Sequence, residues 1–163
     1  PAKYFLKRYH SANLKPNELK FMLNLWLPFL FNRIQIKHVS NNFSKIEVKL
    51  KHTFWNRNPN KAIWGGSIFS AADPFFPIML KQIALKCGYK TDFFTKSTQV
   101  KYLKPAKTDI SFKFELSLED INLAISDLSK KGKFEMWHEV EGVDETGTTC
   151  IIARIQSHLR IRR

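Results

Sequence analysis

One acidic side chain interrupts the apolar run from Ser67 to Leu85. Asp73 has no acidic companion between Gly66 and Lys90. Because burying an unpaired carboxylate is costly, such a group must be hydrogen-bonded, ligated or open to a cavity. A carboxylate kept in that setting is a candidate general base. An equally supported interpretation is that Asp73 caps a second helix beginning at Pro74, since residues before proline avoid the helical region.

A glycine pair precedes this acid by about two helical turns. Gly65 and Gly66 open the apolar run. The first N–H groups of a helix are unpaired and lie at the positive end of its dipole, so they can hold an oxyanion or polarise a carbonyl. A Gly-Gly pair is also common in tight turns. Its spacing from Asp73 predicts a cleft that runs along the helix from its N-terminus to the carboxylate.

The apolar run from Ser67 to Leu85 predicts a long helix. Apolar side chains recur at helical offsets, and Gly88 stands just past the predicted end. Since the run is apolar nearly all round, we expect the helix to be buried on most sides. Pro74 and Pro77 each remove a backbone donor, which predicts a kink where the acid lies.

Most of the remaining chain alternates apolar and polar residues, as strands do. Residues 34–39 and 45–51 predict an antiparallel hairpin with a turn at 40–42. Four further strands are predicted over Phe93 to Leu103, Asp109 to Leu116, Phe134 to Val143 and Thr148 to Ile161. A capped amphipathic helix is predicted from Ser117 to Lys131. The fold class is therefore α+β, one long buried helix against about six antiparallel strands.

An apolar helix is predicted ahead of the sheet, from Asn17 to Phe31. Its apolar stretch is shorter than the ~20 residues that a membrane span needs. We expect it to pack on the domain. The alternative is a helix lying in a membrane interface, supported by Trp26, Phe29 and Phe31 and by nearby bases: Lys3, Lys7, Arg8, Lys15 and Lys20.

The charge balance predicts an anionic partner. The 163 residues, enough for a single domain, carry 27 Lys and Arg against 14 Asp and Glu, a net charge of +13. Residues 1–72 contain only two of the acids, Glu18 and Glu47. Nucleic acid, anionic lipid and a phosphate-rich small molecule all fit, although no nucleic-acid-binding motif is present and nucleic acid is disfavoured.

Cysteine and histidine usage points to a reducing setting. Cys87 and Cys150 form no C-x-x-C pair, and the five histidines are scattered. We therefore expect no metal site, no disulfide framework and a cytoplasmic location.

The segment from Asn56 to Asp73 resembles the signature of hotdog-fold acyl-CoA thioesterases of the PaaI type. It is most similar to a bacterial branch with Asn-Arg-Asn, Gly-Gly and Asp-Pro motifs. The family pattern is Asn, five residues, His-Gly-Gly, six residues and Asp. Asn58, Trp64-Gly65-Gly66 and Asp73 keep that spacing, and the segment 101–106 resembles the family's strand end after the central helix. The resemblance divides the chain into an N-terminal helical extension, 1–33, and a hotdog domain, 34–163.

The resemblance implies a long central helix wrapped by a curved antiparallel sheet, an acyl-CoA substrate and no cofactor. Asp73 would activate water or attack the thioester, the Gly65 N–H would polarise the carbonyl, and Asn58 would orient one of them. Thr95 would help to hold the water. The substrate would also contact Gly66 and Trp64, and the phosphates of coenzyme A would meet a basic group: Arg57, Lys61, Lys101, Lys104 and Lys107.

In such enzymes the site lies between subunits, with Asp73 of one facing Asn58 and Gly65 of the other. A homodimer or a dimer of dimers is therefore implied. Two departures from the pattern leave alternatives open: Trp64 replaces the family's His, and Pro74 follows the acid. The chain could then bind acyl-CoA or fatty acyl groups without hydrolysing them. A third class is a basic protein that binds nucleic acid or an anionic membrane surface.

Overall fold

Three helices precede the sheet in the computed structural model, which describes residues 2–162. They are α1 (Ala2–Tyr9), α2 (Pro16–Leu25) and α3 (Leu27–Phe31). The single helix predicted from Asn17 to Phe31 is wrong, because Trp26 between α2 and α3 is extended, with φ −68° and ψ 120°. A proline ring at position 28 clashes with a helical carbonyl four residues earlier, which explains the break. α1 was not predicted.

The sheet has six antiparallel strands, as predicted. They are β1 (Ile34–Val39), β2 (Lys45–Leu50), β3 (Thr91–Tyr102), β4 (Ile110–Glu115), β5 (Lys133–Asp144) and β6 (Thr149–Ile161). Their spatial order is β1-β2-β4-β5-β6-β3, so β1 and β3 are the two edges. The curved sheet encloses the central helices, and its inner face supplies much of one apolar core.

The central helical segment consists of α4 (Gly65–Ala72) and α5 (Phe75–Lys86), and the kink predicted from the prolines is present between them. Every residue of α5 from Phe75 to Leu85 is buried. The segment Gly65–Lys86 is long and apolar enough to cross a membrane, but most of it is buried inside this fold. It is the helix around which the sheet wraps.

The predicted amphipathic helix is α6 (Leu118–Lys131), which begins with the expected cap. The Ser117 hydroxyl accepts a hydrogen bond from the Asp120 N–H at 3.0 Å. Its buried residues Ala124 and Leu128 join the same core.

A β-bulge in β3 changes which side chains of this edge strand face the central helices. Thr95 pairs with Ser157, Ser97 with Gln156 and Thr98 with Ile155, so Lys96 is the extra residue. Because strand side chains alternate, an inserted residue reverses the parity of everything after it. Thr95 and Thr98, three residues apart, therefore lie on the same, helix-facing side.

Candidate functional site

Asp73 lies at the break between α4 and α5, half-buried. One carboxylate oxygen, Oδ1, accepts a hydrogen bond from the Thr98 hydroxyl at 2.6 Å. Within residues 2–162 the other oxygen, Oδ2, has no hydrogen-bond partner. The N-cap of α5 is Pro74, and no side chain caps that helix. The carboxylate is thus held by a strand and leaves one oxygen for a further proton donor.

Thr95, expected to help hold water, has a different contact. Its hydroxyl lies 3.5 Å from the backbone carbonyl of Asp73, at the outer limit of a hydrogen bond. Thr98, which was not predicted, makes the shorter contact with the carboxylate itself. The bulge is what brings both threonines to this acid.

The start of α4 presents two free backbone donors. Neither Gly65 nor Gly66 has a hydrogen-bond partner for its N–H within the described chain. The Trp64 indole folds over this start, and a Cβ added to Gly66 would lie 2.5 Å from it. Glycine at position 66 therefore lets the Trp64 ring lie directly against the start of α4.

Tyr102, at the end of β3, contacts the same helix start. Its hydroxyl donates to the Gly65 carbonyl at 3.0 Å, and a Cβ on Gly65 would lie 3.3 Å from it. Burial raises the pKa of the Tyr102 hydroxyl, which keeps it protonated as the donor. Sequence reasoning missed Tyr102 because an aromatic residue near the end of a strand gives no signal of this contact.

The loop before α4 is organised by the two asparagines of the Asn-Arg-Asn motif. Asn56 is buried: its amide donates to the carbonyls of Lys51 at 2.8 Å and Asn32 at 3.2 Å, and its carbonyl oxygen accepts from Thr53. Asn58 accepts a hydrogen bond from the Ala62 N–H at 3.1 Å. The loop thus sets the position of Asn58, whose amide nitrogen has no partner within the described chain.

A cavity of about 610 Å³ lies between this loop, the start of α4 and the end of β3. Its lining includes four predicted site residues: Asn58, Gly65, Gly66 and Lys104. Asp73 and Thr95 do not line it. Within one chain the structure therefore brings the helix start and the loop together but leaves the carboxylate outside, about 12 Å along the helix.

The other predicted contacts are spread around this cavity. Trp64 and Arg57 are exposed, and the Arg57 guanidinium lies 5.5 Å from the Phe54 ring. Lys61 is exposed in a left-handed turn with φ 60°. Lys101 pairs with Ile152 of β6, and its side chain lies on the outer face of the sheet, whereas that of Tyr102 lies on the inner face. Lys107 is exposed after β3. Of the basic group only Lys104 lines the cavity.

No group of three or more metal-ligating side chains occurs among the described residues.

A family model described as "Domain of unknown function (DUF4442)" matches residues 18–160. No curated protein matches the chain.

Several solved structures share the fold. A Pseudomonas aeruginosa protein of unknown function, described as a "Probable Thioesterase", has a TM-score of 0.76 and 18% identity, covering 94% of this chain and 99% of its own. The PaaI protein of the Escherichia coli phenylacetic acid degradation operon has a TM-score of 0.63 and 17% identity, covering 90% and 92%. A Haemophilus influenzae thioesterase has a TM-score of 0.67 and 11% identity, covering 89% of this chain and 90% of its own. These likenesses confirm the hotdog fold.

Proposed function

The chain belongs to the family described as Domain of unknown function (DUF4442), and we propose that it is an acyl-CoA thioesterase. The observation that carries the proposal is the carboxylate of Asp73, held on one oxygen by Thr98 and open on the other, on the same helical segment as two unpaired glycine N–H groups. A general base and an oxyanion donor are the two components that thioester hydrolysis requires.

In the proposed reaction, water attacks the thioester carbonyl carbon while Asp73 accepts the proton of the water. The Gly65 N–H stabilises the oxyanion that forms. The carbon–sulfur bond then breaks, and the protonated Asp73 returns its proton to the departing coenzyme A sulfur, so the products are a free acid and a thiol. Thr98 orients the base, Asn58 orients the water or the carbonyl, and Lys104 attracts the phosphates of coenzyme A.

The distance between base and donor favours a site shared by two chains. About 12 Å separates Gly65 from Asp73 along one helix, too far for one thioester carbonyl to contact both. We propose that Asp73 of one protomer meets Gly65 and Asn58 of its partner. The open edge of β3, with Phe94 and Tyr102 about half exposed, is the surface through which such a homodimer would form.

Two free cysteines, Cys87 exposed and Cys150 buried, fit a reducing cytoplasmic location. We propose that location for the protein.

Thiol release from acyl-CoA esters of increasing chain length, followed with a thiol reagent, tests the proposed activity. The expected result is enzyme-dependent release that saturates with substrate. Binding of the same esters by calorimetry, with no release above the background without protein, would contradict hydrolysis. That outcome would instead establish an acyl-CoA binding protein.

Mixing two inactive variants tests the shared site. Asp73→Asn removes the base, and Gly65→Pro removes the N–H at the first helical position, where proline is tolerated. After random exchange about half the dimers are mixed, each with one intact site, so activity should return to about a quarter of the wild-type value. Gly65→Ala, which keeps the N–H and adds the same contact with Tyr102, is the control. No recovery in the mixture would place the site within one chain.

A further inference from the structure

A second cavity, of about 380 Å³, lies between the N-terminal helices and the edge strand β1. Three cationic side chains line it: Lys20 from α2, Arg33 from the turn after α3, and Lys37 from β1. Leu30 supplies an apolar wall on the α3 side. We call this cavity the basic groove.

The charges of the basic groove are not neutralised by the protein. Of the two acids in residues 1–72, Glu18 is bound by Arg8 at 2.7 Å and Glu47 lies 3.7 Å from Lys45. None of the three groove cations forms an ion pair within the part of the chain that the structure describes. Three cations without an acidic partner around one cavity favour an anionic ligand.

Arg33 gives the most specific sign of a missing partner. Its guanidinium lies over the Trp55 ring, 5.8 Å from the ring centre, but its Nε atom is buried and has no hydrogen-bond partner in the described structure. Its backbone has φ 62°, a left-handed conformation that is uncommon for a residue other than glycine. The Lys51 N–H holds the Arg33 carbonyl at 3.0 Å in that conformation. The left-handed conformation is that of a residue ending a helix, since Arg33 follows the C-cap of α3. The unpaired buried nitrogen is the feature that is typical of a binding position.

A large apolar surface borders the basic groove. Leu19, Leu23 and Phe29 face the core, but the opposite side of the two helices is exposed. We call that side the α2–α3 apolar surface; it consists of Phe21, Leu25, Trp26, Leu27, Leu30 and Phe31. Phe31 is 72% exposed and Phe21 is 59% exposed, so both could enter an apolar medium without rearrangement.

We infer that this face of the protein docks on a bilayer containing anionic phospholipid. The basic groove would receive a lipid phosphate, and the α2–α3 apolar surface would enter the boundary between headgroups and acyl chains. A cationic site beside exposed Phe, Trp and Leu is the combination that binds peripheral helices to such membranes. The sequence-based expectation that the helix only packs on the domain therefore describes one of its two faces.

The docking face is separate from the proposed dimer contact. The sheet order places β1 and β3 at opposite edges, with four strands between them. Because α2 and α3 pack beside β1, a dimer formed through β3 leaves the α2–α3 apolar surface uncovered. The helix α1 differs, because its Tyr9 ring lies 6.3 Å from the Phe93 ring of β3. The inference does not depend on the proposed thioesterase activity.

Sedimentation of the full chain with phosphatidylglycerol–phosphatidylcholine vesicles tests the inference. We expect binding to these anionic vesicles and only weak binding to vesicles of pure phosphatidylcholine. Lys20→Gln with Lys37→Gln should weaken binding about 25-fold, at roughly fivefold per cation. The control pair Lys130→Gln and Lys133→Gln makes the same change in net charge on α6 and β5, and should weaken binding less than about threefold because that site is outside the groove.

A second variant and its control test how much the α2–α3 apolar surface contributes to vesicle binding. Phe21→Ser with Phe31→Ser should lower vesicle binding about tenfold or more. Leu118→Ser, at a residue 76% exposed on α6, should have no measurable effect. Thermal unfolding of each variant shows whether it is folded; a variant that unfolds early is replaced by the single substitutions Phe31→Ser and Lys37→Gln.

Three results would overturn the inference. The first is equal binding by the groove variant and its charge-matched control, or equal binding to neutral and anionic vesicles. The second is calorimetric binding of inorganic phosphate or coenzyme A that the groove variant loses, without vesicle binding, which would identify a site for a soluble phosphate. The third is a lower oligomeric state of the Phe21 and Phe31 variant in light scattering, which would show that a second copy covers this surface.

Discussion

The hydrogen bond from Thr98 to Asp73 provides a sharp test of how the base is positioned. Thr98→Val removes the hydroxyl but keeps the side-chain shape. The contact measures 2.6 Å and has a carboxylate as acceptor, and such bonds contribute about 1.5–3 kcal/mol. If most of that is needed to hold the base in the transition state, kcat should fall about 10- to 100-fold. KM should change little, because Thr98 does not line the substrate cavity.

Two companion variants separate this role from simple packing. Thr98→Ser keeps the donor, so kcat should stay within about threefold of wild type. Thr95→Val removes only a 3.5 Å contact with a backbone carbonyl and should change kcat less than about twofold. The assay is steady-state thiol release from the best acyl-CoA substrate. A Thr98→Val enzyme with wild-type kcat, or a larger loss in Thr95→Val, would refute the assignment of Thr98 as the positioning residue.

Two further predictions concern Gly66, at the start of α4, and Lys81, which is buried in α5. Gly66→Ala should change the unfolding free energy by less than about 1 kcal/mol, because the new Cβ would meet only the outer end of the exposed Trp64 ring, which can turn away; urea unfolding measures the change, and a loss above about 3 kcal/mol that disappears when Trp64→Ala is added would contradict this freedom of the ring. Burial, and secondarily Arg162, lower the pKa of Lys81 from 10.5 to about 8. The unfolded chain then holds this proton more tightly, so stability should rise by about 3 kcal/mol between pH 8 and 10.5. In urea unfolding, the stability of Lys81→Met should not show this rise between about pH 8 and 10.5. An equal rise in the wild type and in Lys81→Met would contradict the assignment of the effect to Lys81.

The sequence was informative where one residue type has one structural consequence. Pro74 and Pro77 removed donors inside an apolar helix, so the break at Asp73 was predictable. The alternating strands predicted the antiparallel sheet, and the Asn-to-Asp spacing pointed to the hotdog fold that the solved structures confirm.

The bulge in β3 could not be predicted. Residues Thr95 to Gln99 are polar throughout. With or without a bulge, polar side chains would lie on both faces of the strand, so the pattern of apolar and polar residues does not reveal the inserted residue. Thr98 was missed for that reason, and the bulge also determines that Lys101 lies on the outer face while Tyr102 faces Gly65.

The N-terminal helices show a different limit. The sequence contained enough apolar residues for a buried helix and for an exposed surface, but helical periodicity alone did not assign residues to each. The extended backbone at Trp26 and the unpaired Nε of Arg33 become visible only once the tertiary contacts are known.

The kinetics of Asp73→Asn test the proposed mechanism most directly. The amide keeps nearly the same shape and can still accept a hydrogen bond from Thr98, but it cannot take a proton from water. We expect kcat for thiol release to fall at least about 100-fold across the acyl-CoA panel, while calorimetry shows that the esters still bind. Unchanged hydrolysis by Asp73→Asn would contradict the mechanism.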